Sequence, residues 1–157
     1  LQSATTYHFR LVTQNSGGTF YGVEKTFTTL TTPVVLASGL TYPRGIAVDS
    51  TSVYFTEMGA IKKVDINGGT VTTLASGLNA AFAIALDSTN VYWTERSNSG
   101  SLKMVGINGG IVTTLASGLA NPNNIAIDAT NVYWAESPSS ALKQIDKNGG
   151  IVTTLAT

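Results

Sequence analysis

From residue 39 onward the chain is written in short runs where Val, Ile, Leu and aromatic residues alternate with Thr, Ser and Lys, punctuated by Gly, Asn and Asp. No window holds a helical apolar period over several turns, so the runs read as β-strands. The first is Gly45-Ile46-Ala47-Val48-Asp49, with counterparts at 83–87 and 124–128. The second covers 53–57, 91–95 and 132–136; the third 61–65, 102–106 and 142–146; the fourth 70–75, 111–116 and 151–156. Val, Ile, Thr, Tyr and Trp dominate them, as a pleated and half-buried surface requires. Successive side chains of a strand point to opposite faces, so Val91 and Trp93 face one way and Tyr92 and Thr94 the other. Neither set is uniformly polar, which predicts that both faces are covered by neighbouring sheets.

The strands recur as a unit. Gly39-Leu40 returns as Gly77-Leu78 and Gly118-Leu119. Val53-Tyr54-Phe55-Thr56-Glu57 returns as Val91-Tyr92-Trp93-Thr94-Glu95 and as Val132-Tyr133-Trp134-Ala135-Glu136. Asn67-Gly68-Gly69 returns at 108–110 and 148–150, and the spacings are 38 to 41 residues. Asn-Gly-Gly between the third and fourth strands predicts a hairpin, because Asn and Gly accept positive φ at little cost. Asp49, Asp87 and Asp128 close the first strand, where an Asp side chain caps a corner by accepting backbone N–H groups. Repeated four-stranded antiparallel units of about forty residues are the blades of a β-propeller. The expected fold class is all-β: a partial propeller of three blades (about 39–76, 77–117 and 118–157) with an extra N-terminal β-hairpin fragment.

The Tyr-Phe-Thr-Glu and Tyr-Trp-Thr-Glu strands resemble the YWTD repeats of six-bladed propellers of the low-density-lipoprotein-receptor type. Pro122-Asn123-Asn124-Ile125-Ala126-Ile127-Asp128 is similar to the NHL-like propeller repeat. The resemblance covers 39–157. In the YWTD pattern the fourth residue is an Asp that ties adjacent blades, and here Glu57, Glu95 and Glu136 stand in its place. That tie carries over only loosely, and a structural task shared by all three carboxylates is the expectation.

Residues 4–29 follow a different pattern. Tyr7, Phe9 and Leu11 alternate within Thr5 to Asn15, and Gly18-Thr19, Tyr21-Gly22 and Lys25-Thr26-Phe27-Thr28-Thr29 follow. This segment resembles the last two strands of a fibronectin type III domain, which implies that 1–30 is a C-terminal fragment of such a domain. Residues 31–38 are expected to be a linker and a lone outer strand, since Val34-Val35-Leu36-Ala37-Ser38-Gly39 matches the fourth strand of a blade that does not precede it. A first residue that is Leu, not Met, suggests a chain excised from a longer one. Three blades do not close a six-bladed ring. The missing blades of a parent chain, or self-association of two copies, are expected to complete it.

Composition narrows the chemistry. Nine basic and nine acidic residues leave no net charge, and only 11% of the 157 residues are charged. Nucleic-acid binding is disfavoured, because counterion release needs concentrated cationic charge, and no apolar run is long enough for membrane insertion as a helix. There is no cysteine, and the one histidine, His8, lies apart from the repeats. No nucleophile elbow, phosphate loop or calcium loop is present. The expectations are therefore no catalytic residue, no metal and no cofactor.

Variation between repeats marks the candidate binding face. The loop before the first strand reads Thr41-Tyr42-Pro43-Arg44, then Asn79-Ala80-Ala81-Phe82, then Ala120-Asn121-Pro122-Asn123. Arg44, Phe82 and Asn123 thus occupy one position of the repeat, with Tyr42 nearby, and Arg96 opens the variable loop after the second strand. These five are the ligand or partner candidates. The leading functional expectation is a non-catalytic propeller module contacting protein or polysaccharide, in a secreted or cell-surface multidomain protein, the location inferred from the fibronectin-like company. The alternatives are a fragment of a propeller-type lyase or glycan-processing enzyme whose site lies in absent blades, and a structural spacer or filament component.

Overall fold

A computed structural model describes residues 2–29, 31 and 33–157. Leu1 and Leu30 of the expected fibronectin-like fragment and Thr32 of the expected linker lie outside the described residues. The chain divides into two compact units, Leu1–Val35 and Leu36–Thr157. Among the described residues all sixteen regular elements are strands.

The first unit is one long hairpin with an interruption. β1 (Thr6–Phe9) pairs with β4 (Lys25–Thr28), and β2 (Val12–Asn15) pairs with β3 (Gly18–Tyr21). The two strands expected here are therefore each broken in two. At the break, Gly22 N–H donates to Leu11 O at 2.8 Å, which keeps the arms in register. Tyr7 stacks on Phe27 with ring centroids 5.5 Å apart, and Phe9 tilts against the same ring at 6.2 Å. Phe9, Leu11 and Phe27 remain exposed. His8 Nδ1 meets Glu24 Oε1 at 2.8 Å.

The second unit holds three four-stranded antiparallel sheets in chain order: β5 (Ile46–Val48), β6 (Ser52–Glu57), β7 (Ala60–Asp65) and β8 (Thr72–Ser76); β9 (Ala81–Leu86), β10 (Asn90–Glu95), β11 (Gly100–Gly106) and β12 (Thr113–Leu119); β13 (Pro122–Ile127), β14 (Asn131–Glu136), β15 (Leu142–Asp146) and β16 (Thr153–Ala156). Each fourth strand begins about two residues later than its sequence pattern suggests. The reason is the turn: Gly68 N–H bonds to Asp65 O, and Gly68 and Gly69 both take positive φ (85° and 123°) before the ladder resumes. In each sheet the register between third and fourth strands slips at an equivalent place, Ile61/Lys62, Leu102/Lys103 and Leu142/Lys143, and in the second sheet it slips again at Gly100/Ser101. Such bulges re-aim the side chains beside them.

Two hydrophobic clusters join the sheets, and they separate along the two faces of β10. Val91 and Trp93 pack with Tyr54, Ile61 and Leu74 of the first sheet. Tyr92 packs with Val132, Trp134 and Ile145 of the third. Burying each large side chain there contributes ~2–3 kcal/mol. Residues 33–39 form no ladder. Leu36 nevertheless stands toward Gly68 as Leu74 stands toward Gly109: its carbonyl lies 3.6 Å from the position of a Cβ on Gly68, against 3.7 Å for the Leu74 carbonyl.

Candidate functional site

The repeated aspartates are held by the turns and tyrosines of their own blades. Asp49 Oδ1 accepts from the Thr51 and Ser52 N–H groups at 2.7 and 2.8 Å, and its Oδ2 accepts from the Tyr54 hydroxyl at 3.0 Å. Asp87 repeats this with Thr89, Asn90 and Tyr92, and Asp128 with Thr130, Asn131 and Tyr133. The Thr51 N–H is the main cause that holds the Asp49 carboxyl down at about 2. For Asp87 burial pushes the other way and is outweighed by Lys147 and the two turn N–H groups, so its pKa too lies well below the ordinary carboxylate range. Asp128 is lowered chiefly by the Tyr133 hydroxyl. Burial and the neighbouring Asp87 raise Tyr92 to about 12.

Glu57, Glu95 and Glu136 are buried within their own sheets. Each meets a lysine of the adjacent third strand: Lys62 at 2.7 Å, Lys103 at 3.0 Å and Lys143 at 2.9 Å. Glu57 and Glu95 also accept, at 3.3 and 3.4 Å, from Thr41 N–H and Asn79 N–H in the loops leading into their own sheets. Glu136 accepts from Trp134 Nε1 at 3.0 Å, and its pKa is lowered although burial works against this. These lysines recur at the same repeat position as plainly as the glutamates, so the pairing was signalled in the sequence.

The link between adjacent sheets runs through the preceding threonine instead. Thr56 Oγ1 accepts from Gly45 N–H at 2.8 Å and donates to the Phe82 carbonyl of the next sheet at 2.9 Å. Thr94 Oγ1 accepts from Ala83 N–H at 3.2 Å and donates to the Asn123 carbonyl at 3.0 Å. Ala135 stands at this position in the third sheet. Asn123, one of the partner candidates, thus engages this network through its backbone.

Three of the other candidates converge. The Arg44 guanidinium lies 5.4 Å from the centroid of the Phe82 ring, and that of Arg96 lies 4.9 Å from the same centroid. Arg44 is placed by its N–H bond to Thr56 O, Arg96 by its N–H bond to Ala80 O, so strand and loop backbones hold both stems. Gly45 permits this approach, since a Cβ there would stand 2.6 Å from the Phe82 carbonyl. A cavity of about 350 Å³ adjoins the cluster, lined by Arg44, Met58, Gly59, Leu78, Asn79, Ala80 and Ala81. Tyr42 is exposed and lines no part of it. Its φ is +49°, matched by +54° at Ala80 and +45° at Asn121, so the same left-handed corner recurs in every repeat.

A second, more polar cavity of about 320 Å³ lies between the second and third sheets, among Asp87, Asn90, Tyr92, Met104, Asp146 and Lys147. Lys147 Nζ reaches Asp87 Oδ2 at 2.8 Å across that boundary. Only the third repeat has Lys at this position, where Ile66 and Ile107 stand in the others. Among the described residues no cluster of His, Asp and Glu has the makings of a metal site.

No family model matches the sequence, and no curated protein matches it. Solved structures do. A chain in the crystal structure of a nidogen/laminin complex superposes with a TM-score of 0.67 at 20% identity, covering 97% of this chain and 62% of that one. Putative TolB from Agrobacterium tumefaciens gives 0.64 at 17% identity, with 94% and 60% covered. The computationally designed Ika4 protein gives 0.61 at 18% identity, with 76% and 74% covered. The chain therefore spans less than two thirds of the first two. At such identities the likeness is one of fold, and it agrees with the internal repeat and the sheet topology: the second unit is a run of three β-propeller blades.

Proposed function

We propose that this chain is a non-catalytic β-propeller module that contacts a protein or glycan partner through the loops at the start of its innermost strands, within a secreted or cell-surface multidomain protein. The observation that carries the reading is the meeting of Arg44, Phe82 and Arg96 beside a cavity, at repeat positions that differ from blade to blade. Positions that build the blade repeat, and these do not. The resemblance of residues 4–29 to the end of a fibronectin type III domain supports the multidomain, extracellular setting. The nidogen/laminin neighbour is a propeller fold found in a protein complex, which is consistent with a contact role.

The test is a binding survey of the full chain on arrays of glycans and extracellular-matrix proteins, run beside an Arg44→Ala/Phe82→Ala/Arg96→Ala variant and an Asn148→Ala variant from the other cavity. Specific binding that vanishes in the first variant and survives in the second is the expected result. Binding indifferent to all three loop substitutions would place the contact elsewhere and end this reading.

The open face of the third blade favours another blade as a further partner, from a parent chain or from a second copy. Light scattering after size exclusion measures this: a monodisperse dimer supports closure between copies, and a monomer at every concentration removes it.

A further inference from the structure

The second unit holds seven cationic side chains: Arg44, Lys62, Lys63, Arg96, Lys103, Lys143 and Lys147. Four of the lysines sit within 3.0 Å of a carboxylate oxygen. Lys63 donates to the Ile107 carbonyl and to Asn108 Oδ1, at 3.0 and 3.1 Å. Among the described residues, Arg44 and Arg96 alone in this unit meet neither a carboxylate nor another side-chain or carbonyl acceptor. They are also the two that converge on one ring. In a chain with no net charge and few charged residues, two uncompensated guanidiniums held together by an aromatic ring are an arrangement whose repulsion a bound anion relieves. A guanidinium stacked on a ring keeps its edge N–H groups free for the paired oxygens of a carboxylate.

We infer that Arg44, Phe82 and Arg96 form a carboxylate-binding site whose ligand is an acidic side chain on an exposed peptide segment of a partner protein. This rests on the loop-face reading above and names its chemistry. The cavity wall decides between peptide and sugar. The apolar side chains of Met58, Leu78, Ala80 and Ala81 line the recess together with Arg44 and Asn79, which suits a methylene stem ending in a carboxylate. A pyranose ring needs an open aromatic face, and the Phe82 ring is already engaged by two guanidiniums. At about 350 Å³ the recess is at the small end of ligand cavities, the scale of one or two side chains.

The experiment is a calorimetric titration of the full chain with an oligoglutamate peptide, and separately with oligogalacturonate and with inorganic sulfate. The expected result is peptide binding that weakens with salt and falls about tenfold or more in Arg44→Gln/Arg96→Gln. Arg10→Gln, which removes an arginine stacked on Tyr21 in the first unit, is expected to leave it unchanged. Arg96→Gln alone, at an exposed position, supplies the same reading if the double variant does not fold. Binding of oligogalacturonate without the peptide overturns the peptide assignment, and sulfate binding equal to peptide binding overturns the carboxylate one. No binding of any probe, while the array survey still shows loss in the loop variant, sinks this inference and leaves the broader reading standing. Silence in both experiments sinks both.

Discussion

The outward faces of the second and third blades are near-copies in sequence with opposite fates. Leu102 and Leu115 of the second are 0% and 9% exposed, while their counterparts Leu142 and Leu155 in the third are 43% and 47% exposed. Tyr92 is buried against the third blade, whereas Tyr133 at the same position is only half-buried. Thr94 donates across the boundary, and Ala135 has nothing to donate. The residue types are those of a covered surface in each case. What differs is whether another sheet of the described residues packs on that face. The pattern specifies a face able to stack, and the stacking itself is supplied by the neighbour.

The two internal boundaries differ in a subtler way. Between first and second blades, Lys63 of the first reaches the Ile107 carbonyl and Asn108 of the second. Between second and third, Met104 replaces that lysine in the repeat and Lys147 replaces the isoleucine, so the cation comes from the opposite side and meets Asp87. One cation per boundary is kept, over Tyr54 in the first case and over Tyr92 in the second. Such an exchange distinguishes the boundaries from each other and so helps specify blade order.

The sharpest way to break the comparison of faces is to truncate equivalent leucines. Leu102→Ala is expected to cost ~2–5 kcal/mol, because it empties a covered site, and Leu142→Ala about 1 kcal/mol or less, both by urea unfolding of the full chain. Equal losses would mean that the third face is covered in solution. Next, Thr94→Val leaves the Ala83 N–H and Asn123 carbonyl without their partner and is expected to cost ~1–3 kcal/mol, while Ala135→Thr changes stability by no more than ~0.5 kcal/mol. The boundary exchange is tested by a cycle of Met104→Lys and Lys147→Ile. The double variant rebuilds the first boundary's arrangement and is expected to be more stable than the sum of single losses by about 0.5–3 kcal/mol; strict additivity would show that the two positions do not communicate.

Smallest are the titration effects, whose signs follow from the turns. The folded-state pKa values of Asp49, Asp87 and Asp128 are depressed, so their contribution to stability is complete above the ordinary carboxylate value and is lost as pH falls from about 4 through about 2 and below. Asp87→Asn is expected to flatten that acid limb when unfolding is followed against pH. Tyr92 is raised to about 12, so the stability linked to its neutral form is present below about pH 10 and fades as pH climbs through about 12. Ultraviolet difference spectra should show its ionisation coinciding with loss of the second cluster, and Tyr92→Phe should remove that step.

The sequence by itself determined the blades. Period-two alternation, Asn-Gly-Gly turns and corner aspartates are local signals, each satisfied within a few residues of chain, and their repetition placed the strands to within about three residues. It also singled out Arg44, Phe82, Asn123, Tyr42 and Arg96, because they stand where the repeats vary. The tertiary structure decided the rest. That Thr56 and Thr94 tie blade to blade, while Glu57 and Glu95 pair with lysines inside one blade, depends on which atoms two separate sheets bring within hydrogen-bond distance. That Arg44 and Arg96 share one ring while Tyr42 stays apart depends on the approach of β5 to β9, which Gly45 allows. Contacts between residues far apart in sequence are set by the packing of whole sheets, and no local pattern encodes that distance.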